Sequence, residues 1–454
     1  MKEKYDTKFQ PNGTKDFTKG SIMKHLISLT IPLITGNILQ QMYNTIDAFV
    51  IGRYAGEEEF AAVGVASSVI NLFLFAIVGA CIGISVLFAQ LYGAGETKRF
   101  RQEHFISGTL GAVISFIMGI GGILFTPFLL SLLQTPKEVA GSAEIYLKIV
   151  LAALPMSFFY NFYSALFRAV GKVKVTLVIL AAASVINFVL DIYFAAILHL
   201  GISGVAWATF FAQTMAALIS FFYLKWRFPF LLFGKDDCCL DKRILRKTIY
   251  CCGTTAIQQT GLYLGKLFVQ GAVNTMGTAA IAAYTAAIRI EGFANSFGDS
   301  GCSATSVVTA QNHGAQKEDR VRKTFWLSLI FMILLGTVSS FLLYFAADPM
   351  IGLILGTKQP EAHFMGMKYM QIIAVVYIFC FIGNSFAGYF DGCGRMSITL
   401  IGTISQISIR TILSWIWIQK FGLGAVAVSA GLGWIFVNVF WTFFYRREKK
   451  KDLL

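Results

Sequence analysis

Charged residues are scarce in this chain: Asp, Glu, Lys and Arg make up only 14% of its 454 residues, whereas hydrophobic residues make up 56%. A soluble globular domain carries about 25% charged residues, so the composition excludes that class. A mean hydropathy of +0.66 is typical of a chain that lies mostly in a lipid bilayer. The composition therefore predicts a membrane protein.

Histidine is rare as well, and its placement limits the chemistry that the chain can perform. The five histidines are His25, His104, His199, His313 and His363. All are predicted in or near loops, so no span is expected to carry a metal-binding or general-base histidine. No phosphate-binding G-x-x-x-x-G-K-[ST] loop is present either. These absences argue against an intramembrane enzyme and against ATP hydrolysis, and no cofactor is predicted.

The eight cysteines provide no disulfide framework. Cys81, Cys302 and Cys380 lie in apolar runs, while Cys238–Cys239 and Cys251–Cys252 are adjacent pairs near a basic loop that should be cytoplasmic. Neither the spacing nor the compartment favours a bridge or a zinc site. The polar, basic start of the chain has no short apolar region with a cleavage site, so no removable signal peptide is expected.

The net charge of +14 comes from short basic segments between apolar runs. Because these segments form no continuous basic face, they argue against nucleic-acid binding and favour contact with anionic lipid headgroups. Most Lys and Arg fall in the two tails and in the loops after even-numbered spans. The opposite loops hold only Arg53, Lys137, Lys358 and Lys420. The positive-inside rule therefore predicts cytoplasmic termini and an even number of spans in the plasma membrane.

Twelve apolar segments approach the roughly 20 residues that a helix needs to cross a bilayer. They are predicted near 25–51, 60–90, 104–132, 145–168, 174–198, 203–225, 248–275, 279–308, 324–347, 366–390, 397–418 and 423–445. The predicted fold class is therefore an all-α membrane protein with twelve transmembrane helices.

The two halves of the chain repeat each other. The matched segments, offset by 221 to 223 residues, are AQLYGAGETKRFRQ (89–102) with AQNHGAQKEDRVRK (310–323), FRAVGKVKVTL (167–177) with FDGCGRMSITL (390–400), and HLGISGVAWA (199–208) with KFGLGAVAVS (420–429). Since each half has six spans, the copies share one membrane orientation. We predict two pseudo-symmetric six-helix lobes.

The predicted domains follow from the repeat and from the longest interior linker. They are a cytoplasmic N-terminal tail (1–23), an N-lobe with spans 1–6 (24–225), a cytoplasmic linker (226–247), a C-lobe with spans 7–12 (248–445) and a cytoplasmic C-terminal tail (446–454). Two AQ-x-x-GA loops face the cytoplasm in this arrangement. Gly93 and Gly314 are predicted to end the helices there, and we interpret the loops as hinges or locks without chemistry.

Asp47 is the most unusual residue of the first span, Ile31–Arg53. A carboxylate near the middle of a bilayer costs roughly 2.5–3.5 kcal/mol, so a chain keeps it where it faces water, pairs or binds an ion. We interpret Asp47 as part of a cation or proton site beside a water-filled pathway. The alternative is that it lies at the headgroup level, shortly before Arg53.

Asn187 and Asp191 share one face of the fifth span because they are four residues apart. With Asp47, and with Thr209 in the sixth span, they form a set of oxygen ligands suited to Na⁺ or to a shared proton. Two nearby carboxylates in a low dielectric cannot both stay ionised without a cation. The alternative is a hydrogen-bonded cluster that only ties helices together.

A polar and aromatic patch precedes Asp47, and the fourth span carries residues that would face it. The predicted substrate-cavity residues are Gln40, Gln41, Tyr43, Asn44, Tyr146, Met156, Asn161 and Tyr163. Such side chains suit a flat, amphipathic guest. The alternative is ordinary core packing, which is the commoner role of aromatic and Met residues at helical spacing.

The C-lobe carries a different polar set, with no residue that corresponds to Asp47. Its predicted polar cluster comprises Gln258, Gln259, Lys266, Arg289, Glu291, Asn295, Asp299 and Arg410. Internal ion pairs are expected, for instance of Arg410 or Lys266 with Glu291 or Asp299. They either fasten helices together or take part in substrate binding or in a second coupling step.

Several motifs together resemble one family. PLITGNILQQMYNTIDAFVIGR, the AAVG run at 61–64, AQLYGAG and FRAVGK resemble the multidrug and toxic compound extrusion (MATE) transporters, especially the prokaryotic multidrug exporters. The resemblance covers the chain from about Lys24 to Tyr445. It implies two six-helix lobes around a central cavity and cation-coupled export of organic cations and other amphipathic drugs.

The resemblance also implies a cation site in the first lobe. The Asp of the first helix, the Asn and Asp of the fifth and the Thr of the sixth fall on Asp47, Asn187, Asp191 and Thr209, the four residues reached above from chemistry. Some branches also use a Glu on the seventh helix and an Asp on the tenth. This chain has no carboxylate inside the seventh span, and Asp391 lies at the cytoplasmic end of the tenth.

The sequence therefore favours an antiporter, coupled to H⁺ and/or Na⁺, that exports amphipathic and mostly cationic drugs. Its expected partners are these small molecules and membrane lipids, with no nucleic acid and no obligate protein partner. A lipid or lipid-linked oligosaccharide flippase of related architecture is the main alternative, and it would need a more basic cavity. An intramembrane enzyme and a purely structural or sensory membrane protein are the other classes.

Overall fold

The computed structural model describes residues 14–54, 56–356 and 359–451, and the side chains of 44–51, 53, 54, 57, 196 and 449–451 lie outside the described part. These residues form helices and no strand. The helices are α1 (Ile22–Tyr54), α2 (Glu57–Ala94), α3 (Thr97–Leu124), α4 (Thr126–Leu132), α5 (Lys137–Ala152), α6 (Leu154–Ala169), α7 (Val173–Asp191), α8 (Gly201–Arg227), α9 (Lys242–Asn274), α10 (Thr278–Gly314), α11 (Glu318–Phe345), α12 (Ala347–Leu355), α13 (Pro360–Gly392), α14 (Met396–Phe421) and α15 (Leu423–Lys451).

The long helices account for the predicted spans. Nine of the described helices are long and apolar enough to cross a membrane, and α5 with α6 makes a tenth span bent by 44°. The bend falls beside Pro155, whose missing backbone N–H favours a break there. The more polar α9 and α10 have 33 and 37 residues and complete the twelve. The predicted all-α, two-lobe membrane fold is confirmed.

Packing divides the described chain into two units. The first unit contains the residues up to Asp16 and Thr35–Ala256, and the second contains Phe17–Ile34 and the chain from Ile257 onward. Helices α1 and α9 therefore each contribute residues to both units. Residues 22–34, at the start of α1, belong to the second unit, and residues 242–256, at the start of α9, belong to the first. The lobe bounds at 24 and 248, which rest on the sequence repeat, stay a prediction.

The repeat is visible in the backbone of the turns. The AQ-x-x-GA loops turn at Gly95 (φ 71°) and Gln316 (φ 58°), and in both loops that residue and its successor donate to carbonyl oxygens three and five residues earlier. The helix end predicted at Gly314 is confirmed, and the end predicted at Gly93 lies one residue before the observed end at Ala94. In each loop the left-handed residue that makes the turn follows the predicted glycine by two positions. Gln316 adopts the left-handed backbone conformation, which is unfavourable for a residue with a side chain and which glycine adopts freely.

The start of α8 is fixed by a carboxylate from α2. Glu59 Oε2 accepts a hydrogen bond of 2.8 Å from the backbone N–H of Ile202, where the first N–H groups of a helix have no partner of their own. Gly201 adopts φ 55°, and a Cβ there would lie 2.9 Å from the Glu59 carboxylate oxygens. This contact fixes the N-terminus of α8 against α2 in the first unit.

Gly83 of α2 allows the start of α9 to pack closely against it. A Cβ on Gly83 would lie 2.7 Å from the Cys251 carbonyl oxygen and 2.9 Å from Thr255 Oγ1. Because backbone is the obstacle, we expect Gly83→Ala to lower the free energy of unfolding by roughly 1–3 kcal/mol, as overpacking does. Thermal unfolding in detergent measures it. Gly64→Ala on the same helix meets nothing within 4 Å and is the control; equal effects of the two variants would contradict the close approach.

Candidate functional site

A fully buried polar pair lies at the end of α7. Asn187 and Asp191 are one turn apart, and both side chains are 0% exposed. Burying a carboxylate among apolar helices is costly unless polar groups or a cation stabilise its charge. A π-helical turn, Ile192–Ile197, follows Asp191 directly. Such turns are rare and are frequent at functional sites, and this one was not predicted from the sequence.

Thr209 lies on α8, which packs against α7 and the π-helical turn. A Cβ on Gly204 of α8 would lie 2.9 Å from Phe194 Cβ in that turn, so the two segments are tightly apposed. Thr209 Oγ1 is buried and has no hydrogen-bond partner among the described residues. Buried hydroxyls are normally hydrogen-bonded, and this makes Thr209 Oγ1 a candidate ligand atom of the predicted cation site.

The remaining predicted cation-site residue, Asp47, and the predicted cavity residue Asn44 belong to α1. Their side chains lie outside the described residues, so their place in the site stays a prediction. The helix itself continues through both positions.

The other predicted cavity residues fall into two groups. Gln40, Gln41 and Tyr43 on α1 and Met156 and Asn161 on α6 are half-buried. Tyr146 and Tyr163 are buried, each 7% exposed. Tyr163 packs against the rings of Phe162 and Phe221, which is a core position, and Asn161 Nδ2 donates to the Ser157 carbonyl of its own helix at 2.8 Å. Whether these residues line a substrate cavity stays a prediction.

In the second unit, Glu291 of α10 and Arg410 of α14 attract each other electrostatically. Glu291 is 6% exposed, and its Oε1 has no hydrogen-bond partner among the described residues. Arg410 donates from Nη2 to the Tyr284 hydroxyl at 3.5 Å. Its Nε is buried without a hydrogen-bond partner in the described part of the chain. The opposite charges therefore compensate each other inside an apolar unit.

Three buried tyrosines surround these charges and were not predicted. Tyr284 and Tyr369 pack edge to face at 5.6 Å between ring centroids, and the Tyr377 hydroxyl donates to Asn295 Oδ1 at 2.7 Å. The sequence signal that could have identified Tyr284 is its spacing. It lies seven residues before Glu291 on α10, so both residues are on one face of the helix.

The other C-lobe candidates are more dispersed. Lys266, Arg289 and Asp299 are exposed within their unit, and Lys266 attracts Asp299. Gln258 Nε2 donates to Thr403 Oγ1 at 3.0 Å and so ties α9 to α14, while Gln259 is half-buried.

The N-terminal half of α3 buries two polar residues that the sequence analysis left unassigned or misplaced. Glu103 is 1% exposed and accepts a hydrogen bond of 2.8 Å from Thr248 Oγ1 of α9. His104, predicted in or near a loop, is buried in α3 with Nδ1 2.9 Å from the Leu231 carbonyl oxygen. These contacts tie the linker and the start of α9 to α3. Among the described residues, no group of three His, Cys, Asp or Glu is placed to hold a metal, and the eight cysteines are free.

Over the described residues the chain is helical and consists of two repeated units with polar residues buried in the helices of each, which is the architecture of a multi-pass membrane protein of the two-lobe class. The MatE family model matches residues 32–193 and again residues 255–416, once in each repeat. The chain belongs to the MatE family, and the resemblance found in its motifs is confirmed.

Curated relatives match the chain over most of its length. It is 26% identical over 445 residues to the "Probable multidrug resistance protein YpnP" of Bacillus subtilis (strain 168), covering 96% of this chain and 98% of the relative. It is 23% identical over 434 residues to the "Probable multidrug resistance protein NorM" of Thermotoga maritima, covering 90% and 89%. The family and these names make it a multidrug-transporter homologue.

Solved structures show the same fold. A MOP superfamily transporter from Pyrococcus furiosus, described by "Reverse polarity of binding pocket suggests different function", matches with a TM-score of 0.90 at 19% identity, covering 97% of this chain and 98% of that one. An "Outward-facing conformation of a multidrug resistance MATE family transporter of the MOP superfamily" matches with the same score, identity and coverage.

Proposed function

We propose that this protein is an antiporter, coupled to H⁺ or Na⁺, that exports amphipathic and mostly cationic drugs by alternating access. The observation that carries the proposal is the fully buried pair of Asn187 and Asp191, which precedes a π-helical turn in a membrane-spanning helix. The names of the curated relatives, "Probable multidrug resistance protein", support the substrate class.

Coupling requires that the ion and the drug favour different states of the same protein. A carboxylate such as Asp191 is anionic when empty and is neutralised by a proton or compensated by Na⁺. Thr209 Oγ1 and Asn187 supply neutral oxygens, and Asp47 supplies a second carboxylate. Drug binding to the anionic site and ion binding to the other state then drive exchange, because each ligand shifts the same equilibrium.

The drug would bind between polar and aromatic side chains of the first repeat. The proposed cavity residues are Gln40, Gln41, Tyr43, Asn44, Tyr146, Met156, Asn161 and Tyr163. Their amide, hydroxyl and thioether groups bind planar cations without demanding one shape. Small-molecule cations and lipids are the proposed partners, and an ion gradient supplies the energy.

The proposed location is the plasma membrane, with both termini in the cytoplasm. The support is the distribution of Lys and Arg, which are concentrated in the tails and in the loops after even-numbered spans. These cations would contact anionic headgroups of the inner leaflet. The lobes at 24–225 and 248–445 would be the two moving bodies.

A flippase for lipids or lipid-linked oligosaccharides is the second candidate. Lys266 and Arg289 are exposed cations on α9 and α10, and Arg410 lies deeper in the same unit. Such residues would bind a phosphate-bearing headgroup. The first-unit carboxylate Asp191 disfavours that ligand.

The function is tested by ethidium transport in proteoliposomes that contain the purified chain. We expect efflux when a Na⁺ gradient or a proton gradient is imposed separately, and loss when an ionophore collapses the effective gradient. The gradient that drives transport names the coupling ion. Empty liposomes are the control. No ethidium transport under either gradient, with folded protein in the bilayer, would contradict the proposal, and movement of a fluorescent phospholipid would then favour the flippase.

A further inference from the structure

A cluster of positive charge lies in the first packing unit, where the turn between α6 and α7 approaches the end of α8. It consists of Lys15, Lys172 and Arg227, and we call these three residues the basic cluster. The Lys15 backbone N–H donates to the Val170 carbonyl oxygen at 3.1 Å, which places Lys15 at the turn. Burial, and then the charges of Lys15 and Arg227, lower the pKa of Lys172. Both neighbouring cations therefore repel Lys172.

The basic cluster has no counterion within the described part of the chain. None of its three members forms an ion pair with a described carboxylate. Asp16 follows Lys15 directly, and its charge acts on Tyr92. Like charges held together raise the free energy of a site, and an anion bound among them lowers it. The cluster therefore has the electrostatic character of an anion-binding site.

The second repeat has a salt bridge at the corresponding positions. Lys172 matches Arg395 in the segments FRAVGKVKVTL and FDGCGRMSITL. Arg227 matches Glu448 at the 221-residue offset of the last repeated segment. Arg395 Nη1 forms an ion pair with Glu448 Oε1. The second unit thus supplies a carboxylate at a position where the first unit has another cation, so the first unit is left with positive charge that an external anion would neutralise.

An apolar groove follows the exposed face of α8. It has a volume of about 460 Å³ and is lined by Met215, Leu218, Ile219, Phe222, Tyr223 and Trp226. From its first to its last residue the groove covers about 16 Å of helix, which is close to the hydrocarbon depth of one leaflet, about 15 Å. Its length and its apolar lining suit the acyl chain of a lipid.

Aromatic side chains connect the groove to the basic cluster. Tyr223, in the wall of the groove, packs against Phe228 at 6.1 Å between ring centroids. Lys172 Nζ lies 5.9 Å from the centroid of the Phe228 ring. Trp226 is 81% exposed and directly precedes Arg227. An exposed Trp at the end of a spanning helix is typical of the membrane–water boundary, where the phosphates of phospholipids lie.

We propose that this part of the first unit binds one anionic phospholipid, with its phosphate in the basic cluster and one acyl chain in the α8 groove. Arg227 would donate to the phosphate oxygens through its planar guanidinium, and Lys172 and Lys15 would add ammonium donors. The groove favours a phospholipid over free phosphate, which has no chain to place there. The function proposed above gives these residues no part in drug or ion binding, and the site can be measured without transport.

Quenching of Trp226 by brominated lipid tests the site. The purified chain is reconstituted into phosphatidylcholine vesicles that contain a minor fraction of dibrominated phosphatidylglycerol or of dibrominated phosphatidylcholine. The Trp226 signal is the difference between wild type and Trp226→Phe. We expect phosphatidylglycerol to quench it at a lower mole fraction, because each nearby cation strengthens binding of an anionic lipid about fivefold. Equal quenching by the two lipids would overturn the proposal. Loss of the preference when inorganic phosphate replaces chloride at constant ionic strength would also overturn it, in favour of a site for the free ion.

Charge variants identify the residues that hold the headgroup. Arg227→Gln should lower the preference for phosphatidylglycerol about fivefold, whereas Arg227→Lys should retain most of it. Arg227→Glu restores the charge pattern of the second repeat and should abolish the preference, because its carboxylate can pair with Lys172. Thermal unfolding in detergent without lipid checks that each variant is folded. The exposed Arg246→Gln on α9 is the matched control. A preference that survives Arg227→Glu, or that Arg246→Gln lowers equally, would overturn the proposal.

Discussion

Asp191→Asn is expected to abolish gradient-driven drug efflux while leaving the protein folded and able to bind drug. Asn keeps the size and polarity of the 0% exposed side chain but cannot take up a proton or compensate Na⁺. The difference in drug affinity between the two ion states, typically 5- to 150-fold in coupled systems, should therefore disappear. Ethidium efflux under the effective gradient, together with drug binding at low and high ion concentration, measures it.

Two further variants help to interpret the Asp191→Asn result. Glu144→Gln removes a carboxylate from an exposed ion pair with Lys148 on α5 and should transport normally. Asp191→Glu retains a titratable group, so a proton-coupled transporter should keep partial activity, whereas a Na⁺ site with fixed geometry should not. Gradient-dependent efflux that survives in Asp191→Asn would move coupling away from the first unit.

Arg410→Ala is expected to cause the largest loss of stability in the second unit. Glu291 is 6% exposed and is attracted by Arg410, so removal of the arginine leaves an uncompensated charge among apolar helices. Breaking a buried pair in this way costs roughly 3–5 kcal/mol. Thermal unfolding in detergent measures the loss, and Arg289→Ala, which removes an exposed cation, should have little effect.

The double variant Arg410→Ala with Glu291→Gln separates the two roles left open for this pair. We expect it to recover most of the lost stability, because no charge remains to be compensated. A stable double variant that transports drug would show that the pair only fastens α10 to α14. A stable double variant that binds drug but does not transport it would assign the pair to coupling. Failure to recover stability would contradict direct compensation between the two charges.

The number of spans and their helical class could be predicted from the sequence, because the length of each apolar segment and the internal repeat can both be read directly along the chain. Helices α9 and α10 were predicted as apolar segments near 248–275 and 279–308, although their polar residues make them less apolar than the other spans. The left-handed turns at Gly95 and Gln316 were located only to within two residues, because each loop carries a glycine of the repeat two positions earlier, on which the prediction rested, and Gln316 is a residue type that rarely adopts such a turn.

The site was less predictable because it depends on contacts between distant segments. Asn187 and Asp191 could be found from their spacing, but the π-helical turn after them follows from a shifted backbone hydrogen bond that leaves no residue signature. The partners of Glu291 and Glu103 lie more than 80 residues away along the chain. The starts of α1 and α9, which pack in the other unit, could not be predicted from the sequence either. A repeat shows which segments are similar, but it does not show which segments are in contact.

The exchanged starts of α1 and α9 constrain how the chain is made. The first unit lacks Lys242–Ala256 until the ribosome has passed the linker, so the six spans of the first repeat cannot complete its packing by themselves. Phe17–Ile34 leaves the ribosome before the rest of the first repeat, whereas its packing partners follow from Ile257 onward. Domains usually fold in order from the N-terminus during synthesis. In this chain, the first unit can complete its packing only once Ala256 has been made, and the Phe17–Ile34 segment must wait for the second repeat before it can pack.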